Sequence, residues 1–132
     1  MARSQAGGRG QAIVELALAL PLLALLLFGI IDFGLGLSAR IQVSNAVREG
    51  ARLAAVKWSE ADVEQQVRQK VMSLTDTVIN ASLGTPAVVF PEGKAPGRPV
   101  EVRLSCRYNF FVPGLSGIAD LNCSSTTVMR LE

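Results

Sequence analysis

The sequence contains no histidine, only two cysteines, and few charged or aromatic side chains. Of its 132 residues, 18% are charged and 5% are aromatic. The absence of histidine removes the commonest general base and metal ligand, and two cysteines cannot form a structural zinc site by themselves. No serine lies in a nucleophile-elbow motif. We therefore expect no enzyme, no bound metal and no cofactor.

A net basic surface is also missing from most of the chain. The sequence has 13 lysines and arginines against 11 acidic residues, and the excess of positive charge comes from Arg3 and Arg9. From Gln11 onward the side-chain charges balance, so no field remains that would attract a polyanion. We therefore expect no nucleic acid partner, and no motif points to a small-molecule substrate.

The sequence is rich instead in apolar residues, which make up 49% of the chain and are concentrated in one run. Residues 16–39 carry a single charge, Asp32. As a helix rising about 1.5 Å per residue, this run is about 36 Å long, enough to cross a hydrocarbon core of about 30 Å. We predict a transmembrane helix. A cleaved signal peptide is the alternative, but its apolar core is shorter and ends at a small-residue cleavage site.

Two residues in or beside this run need an explanation. Glu15 lies at the apolar edge, where a carboxylate requires either interfacial solvation or a partner. Pro21 removes one backbone hydrogen bond and is expected to weaken or kink the helix near Ala17. Such prolines are also tolerated in membrane spans. Position alone leaves both alternatives open.

The residues around Gly10 form a more specific motif. Basic residues precede this glycine, the apolar run follows it, and Glu15 is the fifth residue after it. The string RGQAIVELALALPLLALLLFGIIDFG closely resembles the TadE-like minor pilins, or pseudopilins, of the tight adherence (Tad/Flp) type IV pilus system. The resemblance extends to NAVREGARLAAV at residues 45–56 and, more loosely, to STTVMRLE at residues 125–132.

The resemblance implies that a prepilin peptidase cuts between Gly10 and Gln11 from the cytoplasmic side. Glu15 would attract the N-terminal amine of a neighbouring subunit and so set the axial register. The implied function is that of a structural minor pilin in Tad pilus assembly and adhesion, acting through helix-bundle packing with other pilin subunits and Tad assembly-platform proteins. The implied location is the bacterial inner membrane, which the chain would cross once with its N-terminus in the cytoplasm and its C-terminus outside. Incorporation into an extracellular pilus would be a further step.

A non-polymerising, signal-anchored envelope protein whose C-terminal domain is a binding module fits the composition equally well. The positive-inside rule does not decide the orientation, because Arg40, Arg48 and Arg52 follow the span and compete with Arg3 and Arg9. A mature chain that has lost its leader favours the pilin, and an intact N-terminus favours the anchor.

Residues 40–58 continue without proline as an amphipathic helix, which we expect to extend the membrane helix as a stem. Ala46, Gly50 and Ala54 repeat at every fourth position, a spacing that permits close packing against a partner. The partner is either another subunit or the chain's own sheet, and the spacing does not decide. Ser59 is predicted to begin a second helix. Its expected apolar stripe is Val63, Val67, Val71 and Leu74.

The sequence after the second helix predicts a small antiparallel β-sheet. Alternating residues from Val100 to Tyr108 indicate one half-buried strand, residues 121–130 a second, and residues 87–90 a short third. Pro113-Gly114 marks the reversal between the two longer strands. In a symmetric hairpin, Cys106 lies opposite Cys123, Tyr108 opposite Leu121, and Leu104 opposite Ser125.

The hairpin predicts a disulfide between Cys106 and Cys123 after export, which would stabilise the fold by roughly 3 kcal/mol in the chain-entropy model. Two reduced cysteines in a core are the alternative. Residues 110–112, Phe-Phe-Val, either form an exposed contact tip or fill the core.

The predicted fold is therefore α+β and type IV pilin-like, with a long N-terminal transmembrane and stem helix, a second amphipathic helix and a small antiparallel head. The predicted divisions are a cytoplasmic leader at 1–10, a transmembrane helix at 11–39, a stem extension at 40–58 and a periplasmic or extracellular head at 59–132.

Overall fold

The computed structural model describes residues 6–112 and 121–132, with side chains from residue 10 onward. Within these residues, two helices and six strands follow one another, which confirms the α+β prediction. They are α1 (Ala6–Val56), α2 (Val63–Thr75), β1 (Ala81–Leu83), β2 (Ala87–Val89), β3 (Pro99–Leu104), β4 (Cys106–Tyr108), β5 (Leu121–Asn122) and β6 (Ser125–Arg130).

Helix α1 is continuous over 51 residues and contains Pro21 within it. The predicted transmembrane and stem segments are therefore one helix. Its C-terminal end is tied to the last described residue, because the Glu132 amide donates to the Ala55 carbonyl at 3.1 Å. The Trp58 indole Nε1 donates in turn to the Glu132 carbonyl at 2.7 Å. These bonds satisfy one of the carbonyls that a helix end leaves without a partner.

Helix α2 begins later than the sequence predicts. Its N-cap residue is Asp62, and Ser59 lies in the preceding turn. That turn is held by backbone, since the Glu60 amide donates to the Lys57 carbonyl at 3.0 Å. The buried stripe of α2 also ends differently: Thr75 completes it, whereas Leu74 is 40% exposed.

The strands form two antiparallel sheets, ordered β1-β4-β5 and β2-β3-β6. The predicted long strands each divide in two, so that β3 and β6 lie in one sheet and β4 and β5 in the other. The predicted register is confirmed on both sides of the division, because Leu104 pairs with Ser125 and Tyr108 with Leu121. Strand β1 was not predicted, and the Pro113-Gly114 turn lies outside the described residues.

The core lies between the C-terminal half of α1, helix α2 and the sheet formed by β2, β3 and β6. It is rich in valine, with Val43 and Val47 from α1, Val67 and Val71 from α2, and Val102 from β3 all fully buried. This core crosses the division predicted at residue 58. The stem extension is thus part of the head's own hydrophobic core.

Candidate functional site

A continuous apolar surface covers the N-terminal half of α1. The large apolar side chains from Ile13 to Ile31 are between 50% and 75% exposed. The most apolar 18-residue window of the helix has a mean hydropathy of 2.6, and none of it is buried within the described chain. From Ile13 to Ile31 the helix rises about 28 Å, close to the thickness of a hydrocarbon core. This helix is therefore long and apolar enough to cross a membrane.

Gly10, Gln11 and Glu15 are all exposed and lie in the N-terminal part of α1. Nothing lies within 4 Å of a Cβ built on Gly10, so the backbone there is open on the side where a side chain would project. Within the described part of the chain, the Glu15 carboxylate makes no hydrogen bond or ion pair. The three residues are therefore accessible to another protein.

Asp32 is buried, with 2% of its surface exposed, at the end of this apolar surface. The Tyr108 hydroxyl donates to Asp32 Oδ1 at 2.9 Å. The backbone amides of Phe111 and Val112 donate to Oδ2 at 2.7 Å and 3.0 Å. We call these four residues the Asp32 clamp. Three donors compensate the loss of water around a buried carboxylate, and they attach the head to the helix.

Local features of the sequence place Tyr108 over the helix. Tyr108 faces inward at the end of β4. Gly36 lies one turn beyond Asp32, and a Cβ built there would approach Tyr108 Cδ1 to 3.2 Å and Leu121 Cδ2 to 3.3 Å. The ring of Phe110 packs edge-on against Tyr108, with centroids 5.4 Å apart. A glycine on α1 therefore lets the aromatic ring rest against the helix backbone.

The Tyr108 hydroxyl remains protonated far above neutral pH. Burial raises the pKa of Tyr108 to about 12, and the hydrogen bond to Asp32 acts in the same direction. Both effects disfavour the phenolate, the second because it would face a carboxylate. The hydroxyl is therefore held as the donor that the clamp requires.

The head covers one face of the last turns of the predicted 11–39 span. Asp32, Gly36 and Ala39 are buried, whereas Phe33 and Leu37 on other faces are 56% and 48% exposed. The buried face carries a carboxylate, which protein donors solvate and lipid does not. The part of α1 that is apolar and exposed on all faces therefore ends at Ile31.

The small-residue stripe of α1 faces the interior of this chain. Ala46 and Ala54 are no more than 1% exposed, and Gly50 is buried. A Cβ built on Gly50 would lie 2.5 Å from Val71 Cγ2 and 3.7 Å from Val102 Cγ1. The stripe therefore allows α2 and β3 to approach the stem closely, and it leaves no surface at these three residues for another subunit.

Cys106 and Cys123 form a disulfide whose Cα atoms are 4.9 Å apart. Both residues are buried in the core. The Cys123 amide donates to the Cys106 carbonyl at 3.0 Å, and the Cys106 amide donates to Ser124 Oγ at 3.0 Å. These contacts hold β4 against the chain between β5 and β6, where the two longer strands pass from one sheet to the other.

The groups around the clamp pack together and form hydrogen bonds. Among the residues that the structure describes, no group of three or more His, Cys, Asp or Glu side chains is arranged to hold a metal ion. A cleft of about 560 Å³ lies beside the clamp, and its lining is almost entirely apolar. The lining residues are Leu25, Phe28, Ile31, Asp32, Leu35, Phe111 and Val112.

Sequence reasoning missed the roles of Asp32 and Tyr108. The signal was present, because Asp32 is the single charge within residues 16–39 and Tyr108 is the only tyrosine in the chain. An ionisable residue inside an apolar run calls for an internal partner. The identity of that partner depends on which turn of α1 meets the end of β4, and strand alternation does not contain that information.

Residues 10–52 match the family model of TadE-like protein. A search of curated proteins and a search of solved structures found no match. The matched segment covers about a third of the chain; it starts at the glycine of the N-terminal motif and includes the apolar surface, Asp32 and most of the stem. The weaker resemblance at residues 125–132 lies outside it. Residues 10–52 therefore form a TadE-like segment, which confirms the resemblance drawn from the motif and supports a pilus-related, single-pass membrane protein.

Proposed function

We propose that this chain is a structural minor pilin, or pseudopilin, of a Tad-type pilus. A prepilin peptidase would cut it between Gly10 and Gln11, and its apolar helix would then leave the membrane to pack with other subunits. The observation that carries the proposal is the TadE-like match, which begins at Gly10, an exposed residue in the N-terminal part of α1. The role is one of assembly and adhesion, with other pilin subunits and Tad platform proteins as partners.

Cleavage is tested by blocking the glycine position. Gly10→Leu is expected to leave an uncut precursor in cells that carry the Tad system, because a bulky side chain would obstruct the peptidase. Gly34→Leu is the matched control, since nothing lies within 4 Å of a Cβ built on that glycine either. N-terminal sequencing and intact mass are the readouts. A wild-type chain that begins at Met1, or a Gly10→Leu chain that begins at Gln11, would contradict processing; the first result favours the signal-anchored alternative.

Glu15 is proposed to attract the N-terminal amine of a neighbouring subunit. Its carboxylate is exposed and makes no hydrogen bond or ion pair with the described residues, so it is available for such a partner. A carboxylate facing an ammonium in a low dielectric is partly compensated and fixes a register. Glu15→Gln keeps the shape and removes the charge, so we expect normal membrane insertion but loss from the sheared pilus fraction.

Glu49→Gln is the control for that experiment, because Glu49 is a carboxylate on the same helix that already pairs with Arg52 at 2.7 Å. We expect Glu49→Gln to enter the pilus fraction at the wild-type level. Equal incorporation of Glu15→Gln and wild type would refute the register role.

The surface proposed for subunit packing is the apolar segment from Ile13 to Ile31. The stripe at Ala46, Gly50 and Ala54 is used within the chain, so it supplies no contact for the bundle. Lipid covers the apolar segment before assembly, and neighbouring helices would cover it afterwards. Cysteines introduced singly at exposed positions of this segment are expected to cross-link between subunits in isolated pili, whereas cysteines on the buried stem stripe are not.

We propose that the N-terminus lies in the cytoplasm and the head outside the inner membrane. The disulfide between Cys106 and Cys123 supports this orientation, because disulfides persist in oxidising compartments outside the cytoplasm. External protease added to spheroplasts is expected to digest the head and spare the N-terminal end of the apolar helix. Protection of the head in intact spheroplasts would contradict the orientation.

A further inference from the structure

We propose that the end of the head nearest the membrane is a lipid-binding foot, made of Ile79, Phe111 and Val112. The head would then rest in the interfacial layer of the bilayer rather than stand clear of it on the stem. Phe111 is 69% exposed and Ile79 is 61% exposed, although both belong to the folded head. They come from separate segments, one before β1 and one after β4.

The Asp32 clamp fixes the height of Phe111 along α1. The Phe111 and Val112 amides both donate to the Asp32 carboxylate, so this segment lies at the level where the exposed apolar part of the helix ends. Phe111 and Val112 also line one cleft together with Leu25 and Phe28, which lie one to two turns further toward the N-terminus. The apolar surface of the head is therefore continuous with that of the membrane helix.

Ile79 lies slightly further from the membrane centre. It lines a second cleft with Leu35, Ala39 and Thr77, and the Thr77 hydroxyl donates to Gln42 Oε1 at 3.2 Å. Leu35 also lines the first cleft, so it lies between the levels of Phe111 and Ile79. The foot thus spans a short range of heights, with Phe111 at its deeper end.

The dimensions of the bilayer favour lipid as the occupant. The helix from Ile13 to Ile31 rises about 28 Å, which fills a hydrocarbon core of about 30 Å. The next turns, which carry the clamp, then fall in the interfacial layer. Aromatic and apolar side chains at that depth are stabilised by partial burial in the headgroup region. A foot attached to the spanning helix by hydrogen bonds to Asp32 cannot avoid this layer while the helix spans the membrane.

Depth-dependent quenching tests the foot with the full-length protein in phosphatidylcholine vesicles. Trp58, the only tryptophan, is replaced by phenylalanine. Single tryptophans are then introduced as Phe111→Trp and Ile79→Trp, and as Val128→Trp for the control. Val128 is 58% exposed and pairs with Glu101 on the β3–β6 side of the head, away from the clamp. Leu23→Trp marks the membrane core. The lipids are brominated either near the headgroup or near the bilayer centre.

We expect the tryptophan at 111 to lose more than half of its emission to bromines near the headgroup, the one at 79 to lose less, and the one at 128 to lose almost none. Equal quenching at 111 and 128 would overturn the foot. Blue-shifted emission at 111 without bromine quenching would show that a second copy covers this surface, and would also overturn it. A tryptophan at 23 that central bromines do not quench would overturn the membrane span and the foot together. Pilus incorporation does not enter this assay, so the proposed pilin role can fail while the foot stands.

Discussion

The Asp32 clamp makes a quantitative prediction about the stability of the head. Asp32→Ala removes the acceptor for three donors, while Tyr108→Phe removes only the hydroxyl that donates to Oδ1. The two residues are separated by 76 positions in the chain, so the bond between them exists only in the folded protein. The effects of the two substitutions should therefore depend on each other.

Hydrogen bonds to a charged group contribute about 1.5–3 kcal/mol each, so Tyr108→Phe is expected to lower the free energy of unfolding by that amount. Asp32→Ala leaves one buried hydroxyl and two partly buried amides without an acceptor, and we expect a loss of about 3–6 kcal/mol. In the double variant, the second substitution should cost less, with a coupling free energy of about 1–3 kcal/mol.

The assay is urea unfolding of the full-length protein in detergent micelles, followed by the fluorescence of the single Trp58. This indole is hydrogen-bonded to the Glu132 carbonyl at the far end of the head, so it reports on the folded head without touching the clamp. Thr77→Val is the control, because it removes an exposed bond between head and stem, the one to Gln42, and should cost below about 1 kcal/mol. Strict additivity of Asp32→Ala and Tyr108→Phe would refute the clamp.

The raised pKa of Tyr108, the close packing at Gly50 and the disulfide each give a further prediction. Tyr108, the only tyrosine, should ionise near pH 12 when tyrosinate absorbance is followed. Because its pKa in the folded protein lies above the unfolded value of about 10, the stability linked to this group is complete below pH 10 and is lost between pH 10 and 12. A midpoint near 10 in the folded protein would contradict the burial of Tyr108. Gly50→Ala should destabilise the head by about 1–2 kcal/mol, because overpacking outweighs the gain in helix propensity. Gly34→Ala lies in open space and should not destabilise the head. Equal urea unfolding midpoints for the two variants would argue against close packing at Gly50. Exported protein should resist alkylation until Cys106 and Cys123 are reduced. Reduction should lower the free energy of unfolding by roughly 3 kcal/mol. Alkylation of these cysteines without a reductant would exclude the disulfide.

The strand pairing shows how much of the sheet structure local sequence patterns can predict. Alternation and one turn were sufficient to predict the register that pairs Leu104 with Ser125 and Tyr108 with Leu121. They could not predict that each long strand divides to serve two sheets, because a bend changes the neighbours of a strand without changing its alternation. Strand β1, three residues long, was missed for a related reason: its pairing with β4 depends on a distant segment rather than on its own composition.

The sequence by itself determined the long apolar helix, the motif at Gly10 and Glu15, the second amphipathic helix and the pairing of the last strands. These features depend on periodicity, turn residues and residue order, all of which are local. Only the tertiary structure decided where the small stripe around Gly50 packs, which donors hold Asp32, and that Phe111 stays exposed beside the membrane helix. Each of these depends on contacts between segments far apart in the chain, where the geometry of the whole fold selects which of several chemically suitable partners meet.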